Sequence, residues 1–292
     1  MNVLCAVDGS QHSRWALDIL RCLSLASGAK VLLVHVVDIA RFSPSRVMGS
    51  AARSALAEAL EVAEQAGRRL LERMKRKMGP ADDSVDTKLV RGHPAEAITR
   101  IAARYKTDLI LIGSRGATDI RRFLLGSVSR RVVAHAPCPV LVVKKSVPAL
   151  RRIVVGVDGS KQGQAAVDFL LRMPVPEVAH VTVVSVVPPL PIESSLQPPS
   201  LLNRVLVPLE KQARDVAAQE AARIRGAGFE ATSLAVHGNP GHEIVRLAES
   251  ERADLVVVGS RGLTGAPRFL MGSVSDGVVK YAPCPVLVIR KG

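Results

Sequence analysis

The chain has 292 residues, 48% hydrophobic and 23% charged, with one Trp, two Tyr and five Phe. That is enough chain for two ordinary domains, each with its own core. Its apolar runs near 31–37 and 181–192 are too short or too proline-broken to span a bilayer. The net charge of +14 is uneven, +11 over residues 1–146 and +3 over 147–292. A basic first half suits phosphates, nucleic acid or anionic membrane, or simply a solvated helix face such as RRLLERMKRK at 68–77. Nucleic acid is disfavoured because aromatics are not interleaved with the basic residues.

In chain order, short apolar runs alternate with amphipathic stretches, the pattern of β-α-β units and a parallel sheet. The first half predicts a strand at 3–7, a helix at 11–26 and a strand at 31–37. A helix within 50–78 follows, with Leu56, Leu60, Leu70 and Met74 on one helical stripe. Next come a strand at 85–90, a helix at 95–104, a strand at 109–112, a glycine loop, a helix from about 127 and a strand at 139–143. Pro94 and Pro240 suit a helix's first turn, where a missing N–H is tolerated, and Glu96 and Glu243 suit its positive end. The start MNVLCAVDGS lacks a basic lead and argues against a signal peptide. Cys5, Cys22, Cys138 and Cys284 form no C-x-x-C pair and read as buried thiols of a reducing compartment. A cytoplasmic protein is expected.

The second half repeats the first. NVLCAVDGS at 2–10 returns as RIVVGVDGS at 152–160, and HAPCPVLVVKK at 135–145 as YAPCPVLVIRK at 281–291. GSRGATDIRRFLLGSVS at 113–129 returns as GSRGLTGAPRFLMGSVS at 259–275. Domains over 1–146 and 150–292 are expected, joined around KKSVPALRR. Each folds as an open, doubly wound sheet whose ligands bind beyond the carboxyl ends of the strands. Asp8 and Gly113 end two strands that meet in one crevice if those strands are neighbours.

Gly113 and Gly116 suit φ > 0 or a close backbone approach. Gly126 and Ser127 begin a helix whose free N–H groups favour an anion. Ser127 and Ser129 add hydroxyls, and Arg115, Arg121 and Arg122 add charge, so phosphate is the natural guest. The alternative is a structural turn with Ser127 as a helix cap. Asp8 likewise either meets a ligand or only bonds the amides of its own D-G-S turn. Neither G-x-x-x-x-G-K-[ST] nor a G-x-G-x-x-G after the first strand is present. None of the seven His sits at metal-ligand spacing, and no Ser-His-Asp or Cys-His arrangement suggests a dedicated catalyst.

Taken together, V-D-G-S, G-x-x-G, nine residues, G-S-V-S and A-P-C-P-V-L-V resemble the universal stress protein family in its tandem form, over essentially the whole chain. The resemblance implies an α/β fold of the adenine-nucleotide α-hydrolase type. Each half would be a five-stranded parallel sheet of order 3-2-1-4-5 with helices on both faces. It also implies ATP, with Mg, cradled by the glycine loop, with the first-strand aspartate on the nucleoside and a second-strand valine on adenine. Carried over, the first site is Asp8, Val36, Gly113, Arg115, Gly116, Gly126, Ser127 and Val128. The second is Asp158, Val186, Gly259, Arg261, Gly262, Gly272, Ser273 and Val274. The expected role is nucleotide-dependent stress regulation, with at most slow ATP hydrolysis or self-phosphorylation. A protein-interaction scaffold is the alternative, with an unidentified protein partner.

Two differences set the sites apart. Pro267 replaces Arg121, and Asp276 replaces Arg130 one turn into the helix facing phosphate, so the first half is expected to bind ATP more tightly. The proline-rich stretch 188–200 reads as an exposed loop, and the last strands PVLVV and PVLVI as edges that pair within the chain or across a dimer.

Overall fold

The computed structural model describes residues 1–23, 29–42, 50–79, 84–116, 125–174, 179–189, 199–262 and 271–290. The chain divides into two compact units, Met1–Ser146 and Val147–Lys291. Unit one runs β1 (Asn2–Ala6), α1 (Gln11–Cys22), β2 (Lys30–Asp38), a 3₁₀ turn (Ile39–Phe42), α2 (Ser50–Met78), β3 (Val85–Gly92), α3 (Pro94–Arg104), β4 (Leu109–Gly113), α4 (Ser127–His135) and β5 (Val140–Val143). Unit two repeats this as β6 (Arg152–Gly156), α5 (Lys161–Arg172), β7 (His180–Val187), α6 (Pro199–Gly226), β8 (Glu230–His237), α7 (Pro240–Ser250), β9 (Leu255–Gly259), α8 (Ser273–Tyr281) and β10 (Val286–Ile289).

Within unit one the strands lie in the order β3-β2-β1-β4-β5, and within unit two in the equivalent order β8-β7-β6-β9-β10. The ladders within each unit are parallel. This is the order 3-2-1-4-5 twice over. Strands β4 and β5 are apolar throughout because both faces are covered: every residue of each is buried. Two rows in each unit, β1 beside β4 and β6 beside β9, carry the D-G-S turn and the glycine loop out at the same end of the sheet.

Local chemistry sets the helix starts. Ser10 and Ser160 cap α1 and α5, their hydroxyls accepting from the N–H of Ser13 and Gly163 at 3.1 Å, a device worth about 1 kcal/mol. Pro94 and Pro240 stand in the first turns of α3 and α7, as their lack of an N–H predicts. The predicted helix 11–26 is shorter in the structure. Leu23 is extended (φ −71°, ψ 113°) and its N–H closes on the carbonyl of Ile19, so α1 stops at Cys22. The stripe expected on α2 is also only half realised. Leu70 and Met74 are buried, but Leu56 and Leu60 are not, because α2 first buries a residue at Gly67. Among the described residues no helix is long and apolar enough to cross a membrane.

Cys5, Cys138 and Cys284 are buried and form no disulfide. Burial pushes the Cys5 thiol up to about 12, and burial reinforced by the Asp108 carboxylate does the same for Cys138. At about pH 8 only roughly one in 10⁴ such thiols is ionised, so alkylation of both should be negligible in native protein and complete after denaturation. Peptide mass spectrometry of iodoacetamide-treated samples reads this directly, and native labelling of either would show that its strand opens.

Candidate functional site

In each unit a hollow lies at the carboxyl ends of the central strands, of about 340 Å³ in unit one and about 390 Å³ in unit two. Both volumes lie in the range of small-molecule sites. The first is lined by Asp8, Val36, Gly113, Arg115, Gly116, Gly126, Ser127 and Val128. The second is lined by Asp158, Val186, Gly259, Arg261, Gly262, Gly272, Ser273 and Val274. Residues up to 120 positions apart in sequence thus share one wall in each unit.

The aspartates do two things at once. Asp8 Oδ1 accepts from the N–H of Ser10 at 3.0 Å, and Asp158 Oδ1 from that of Ser160 at 3.0 Å, so each holds its own turn. Their other oxygens face the glycine loops. A Cβ placed on Gly116 would lie 3.0 Å from Asp8 Oδ2, and one on Gly262 would lie 2.6 Å from Asp158 Oδ2. Left-handed φ belongs to Gly9 (+80°) and Gly159 (+78°) in the D-G-S turns, not to the loop glycines. Of the two roles open to Gly113 and Gly116, the structure therefore shows close approach.

The loop returns to the sheet by a fixed set of bonds. The Gly126 N–H donates to the Ser114 carbonyl at 2.8 Å, and the Gly272 N–H to that of Ser260 at 2.9 Å. Ser129 and Ser275 are buried and donate to the same two carbonyls at 2.9 and 3.0 Å. Their hydroxyls are committed to the loop, which corrects the expectation that Ser129 is a donor free for a ligand. Ser127 does not cap α4 either. The cap position belongs to Gly126, and in α8 to Gly272, and neither helix has a side-chain capping bond. The starts of α1 and α5 are stapled by serine, whereas those of α4 and α8, inside the hollows, present bare amides with exposed Ser127 and Ser273.

The sequence did not reveal the remaining walls. In unit one His35, Asp38, Phe42 and Ala63 line the β2 side. In unit two Ser185, Pro188, Leu209, Ala213 and Val216 replace them, giving a more apolar cavity. The His35 ring is fixed: Nδ1 lies 2.7 Å from the Val7 carbonyl, which can only accept, so that nitrogen carries the proton. In unit two the Gln162 amide oxygen accepts from Ser260 Oγ at 2.8 Å and from the Arg261 N–H at 3.2 Å, latching the loop to α5. Arg290, just past β10, stands close enough to Arg261 that burial and that like charge hold its guanidinium below the ordinary arginine value. Asp276, expected to repel phosphate, is engaged by Lys280 one turn later. Arg121, Arg122 and Pro267 lie outside the described residues, as does most of the proline-rich stretch, whose last two residues, 199 and 200, begin α6.

Comparison with known proteins agrees with this architecture. The Universal stress protein family profile matches residues 1–144 and again 149–290. A universal stress protein of Thermus aquaticus is 37% identical over 142 residues, 49% of this chain and 97% of that protein. One from Methanocaldococcus jannaschii is 33% identical over 143 residues, 49% of this chain and 81% of its own length. The crystal structure of a universal stress protein from Archaeoglobus fulgidus is similar in fold, covering 100% of this chain and 96% of that one at a TM-score of 0.65 and 20% identity. With two matches that together span nearly all of its length, the chain belongs to the universal stress protein family as a tandem of two family domains.

Proposed function

We propose that each unit binds ATP and that the protein acts as a nucleotide-dependent regulator rather than as a dedicated catalyst. The observation that carries this reading is the start of α4 and of α8 without a side-chain cap, in a hollow lined also by an arginine and the loop glycines. An exposed helix end contributes only about 0.3–1 kcal/mol per charge. Several amides acting as a nest, with Arg115 or Arg261, supply the rest. In this reading Gly113, Gly116, Gly126, Ser127 and Val128 cradle the phosphates, Asp8 accepts from the ribose hydroxyls, and the Val36 backbone meets adenine. Asp158, Val186, Gly259, Gly262, Gly272, Ser273 and Val274 repeat these roles. Magnesium enters as the counter-ion of the phosphates: among the described residues no group of three His, Cys, Asp or Glu is placed to hold one.

Calorimetric titration of the full chain with Mg-ATP tests the reading, with two adenine nucleotides per chain as the expected result. Flat heats, together with no adenine nucleotide released on denaturation, would leave the scaffold role instead. Bound ligand also stabilises the fold. At about 100 times the dissociation constant it adds roughly 2.7 kcal/mol, visible as a raised Tm.

The two sites differ in strength. Arg130 in unit one stands where unit two has Asp276, so the first hollow binds the triphosphate more tightly. The Lys280 pair moderates that difference. Lys280→Ala exposes the Asp276 charge to the α8 start and is expected to weaken the second site about two- to five-fold, the equivalent of 0.3–1 kcal/mol. Unchanged second-site affinity in this variant would show that Asp276 lies outside the field of the phosphates.

A further inference from the structure

His12 is the second residue of α1, packed beneath the first glycine of the loop. A Cβ on Gly113 would lie 2.8 Å from His12 Cβ and 2.9 Å from its carbonyl carbon. The ring stands edge-on to Trp15 at 4.9 Å. Its Nε2 is buried, and among the described residues it is the one buried side-chain nitrogen or oxygen with no hydrogen-bond partner. Unit two carries Gln162 at the same position and uses its amide oxygen, accepting from Ser260 Oγ and the Arg261 N–H. The duplicated fold therefore provides an internal comparison: one loop is latched by an amide, and the other lies against an imidazole whose free nitrogen is unused.

We propose that His12 couples proton uptake to binding of the nucleotide's phosphates in the first unit, and that the second unit, with Gln162, lacks this coupling. This rests on the nucleotide reading above and adds to it a regulation by pH. Two charged groups face the ring, Arg115 from the loop after β4 and Asp8 from the end of β1. Burial and Arg115 oppose protonation, Asp8 favours it, and the balance holds the imidazole below its ordinary value, so it is neutral in the free protein. A polyphosphate beside Arg115 reverses that balance. It cancels the arginine's field and adds negative charge that favours the imidazolium. In the imidazolium both ring nitrogens carry a proton, so Nε2 is a donor whichever tautomer the neutral ring adopts.

The sign of the linkage follows. The imidazole titrates at higher pH in the complex than in the free protein, so binding takes up a proton. Affinity then rises as pH falls through the window between the bound and free values, at most about tenfold per pH unit. It is level above that window and below it.

The test is calorimetric titration of the full chain with ATP, from about pH 5.5 to about pH 8, in buffers of different ionisation heat. Each protein carries Gly262→Ala so that the first site is read alone. Net proton uptake at this site is expected to fall in His12→Gln relative to the parent while ATP still binds, now with weaker pH dependence. In a separate series, Gln162→His on the otherwise native chain should add proton uptake at the second site. Titration of the nucleotide's own phosphate is common to all these proteins and cancels in the comparison. Equal net proton exchange on ATP binding in the parent and in His12→Gln overturns the proposal. Should His12→Gln fail to fold, the imidazole C–H resonances of the parent, titrated with and without ATP, decide the matter by whether His12 shifts upward. Flat heats at every pH overturn the nucleotide reading and this inference with it, an outcome distinct from binding without protons.

Discussion

Gly262→Ala is expected to lower ATP affinity at the second site about a hundredfold, while Gly116→Ala lowers it at the first only about tenfold. Neither backbone is left-handed, so alanine is conformationally acceptable at both positions and the effect is steric. The new methyl at 262 falls 2.6 Å from Asp158 Oδ2, well inside contact distance, and the one at 116 falls 3.0 Å from Asp8 Oδ2. The aspartate cannot simply swing away, because its other oxygen is held by the Ser160 N–H at 3.0 Å. Relief comes either from moving the loop, which misplaces its amides, or from turning the carboxylate, which misplaces the group proposed for the ribose. Two lost hydrogen bonds to charged groups, at about 1.5 kcal/mol or more each, correspond to about 3 kcal/mol and hence to a hundredfold. Calorimetry on each variant, with Tm as the folding control, reads the two sites separately. Wild-type affinity in Gly262→Ala would remove the aspartate–loop contact from the binding site.

The parts of this architecture that were legible in the sequence are those fixed by short spacings. The apolar runs gave the strands, and the repeated D-G-S and glycine motifs placed two loops at strand ends. Parallel crossovers then required both to emerge at one edge of the sheet. What was not legible depends on how a helix is rotated over that sheet. Nothing local in QHSRW or KQGQA says that position 12 or 162 lies beneath the loop, or that one side chain accepts two bonds while the other leaves its Nε2 without a partner among the described residues. Ser129 shows the same limit. Its spacing from Gly126 suggested a hydroxyl offered to a ligand, but burial turns it onto the Ser114 carbonyl. The apolar pattern of α1 continues past Cys22, whereas the helical backbone stops there and Leu23 is extended. On α2, periodicity identified Leu70 and Met74 and equally Leu56 and Leu60, since a stripe carries no information about where a helix first touches its sheet.

The first buried residue of α2 is Gly67, and Gly67→Ala should destabilise unit one by a net 1–2 kcal/mol or so. Alanine in a helix is favoured over glycine by about 1 kcal/mol, but its methyl would sit 2.7 Å from both His35 Cδ2 and Leu89 Cδ1. Overpacking of this kind costs about 1–3 kcal/mol, and the upper part of that range applies because His35 is anchored at 2.7 Å to the Val7 carbonyl. Unit two shows the complementary solution. The buried positions 67, 70, 71 and 74 of α2 recur at 217, 220, 221 and 224 of α6, where Ala217 is 0% exposed. Its strands have made room: Ser185 and Ala235 are paired across β7 and β8 as His35 and Leu89 are across β2 and β3. A double-mutant cycle between Gly67→Ala and His35→Ser should therefore show favourable coupling of about 1 kcal/mol or more, whereas distant sites would simply add. The chain's one tryptophan, Trp15, lies on α1 of unit one, so its fluorescence in a denaturant titration follows that unit selectively. Because His35 also lines the first hollow, the single variant should weaken ATP at the first site and leave the second unchanged. Additive energies would show that the ring relaxes freely and that Gly67 is a matter of helix propensity alone.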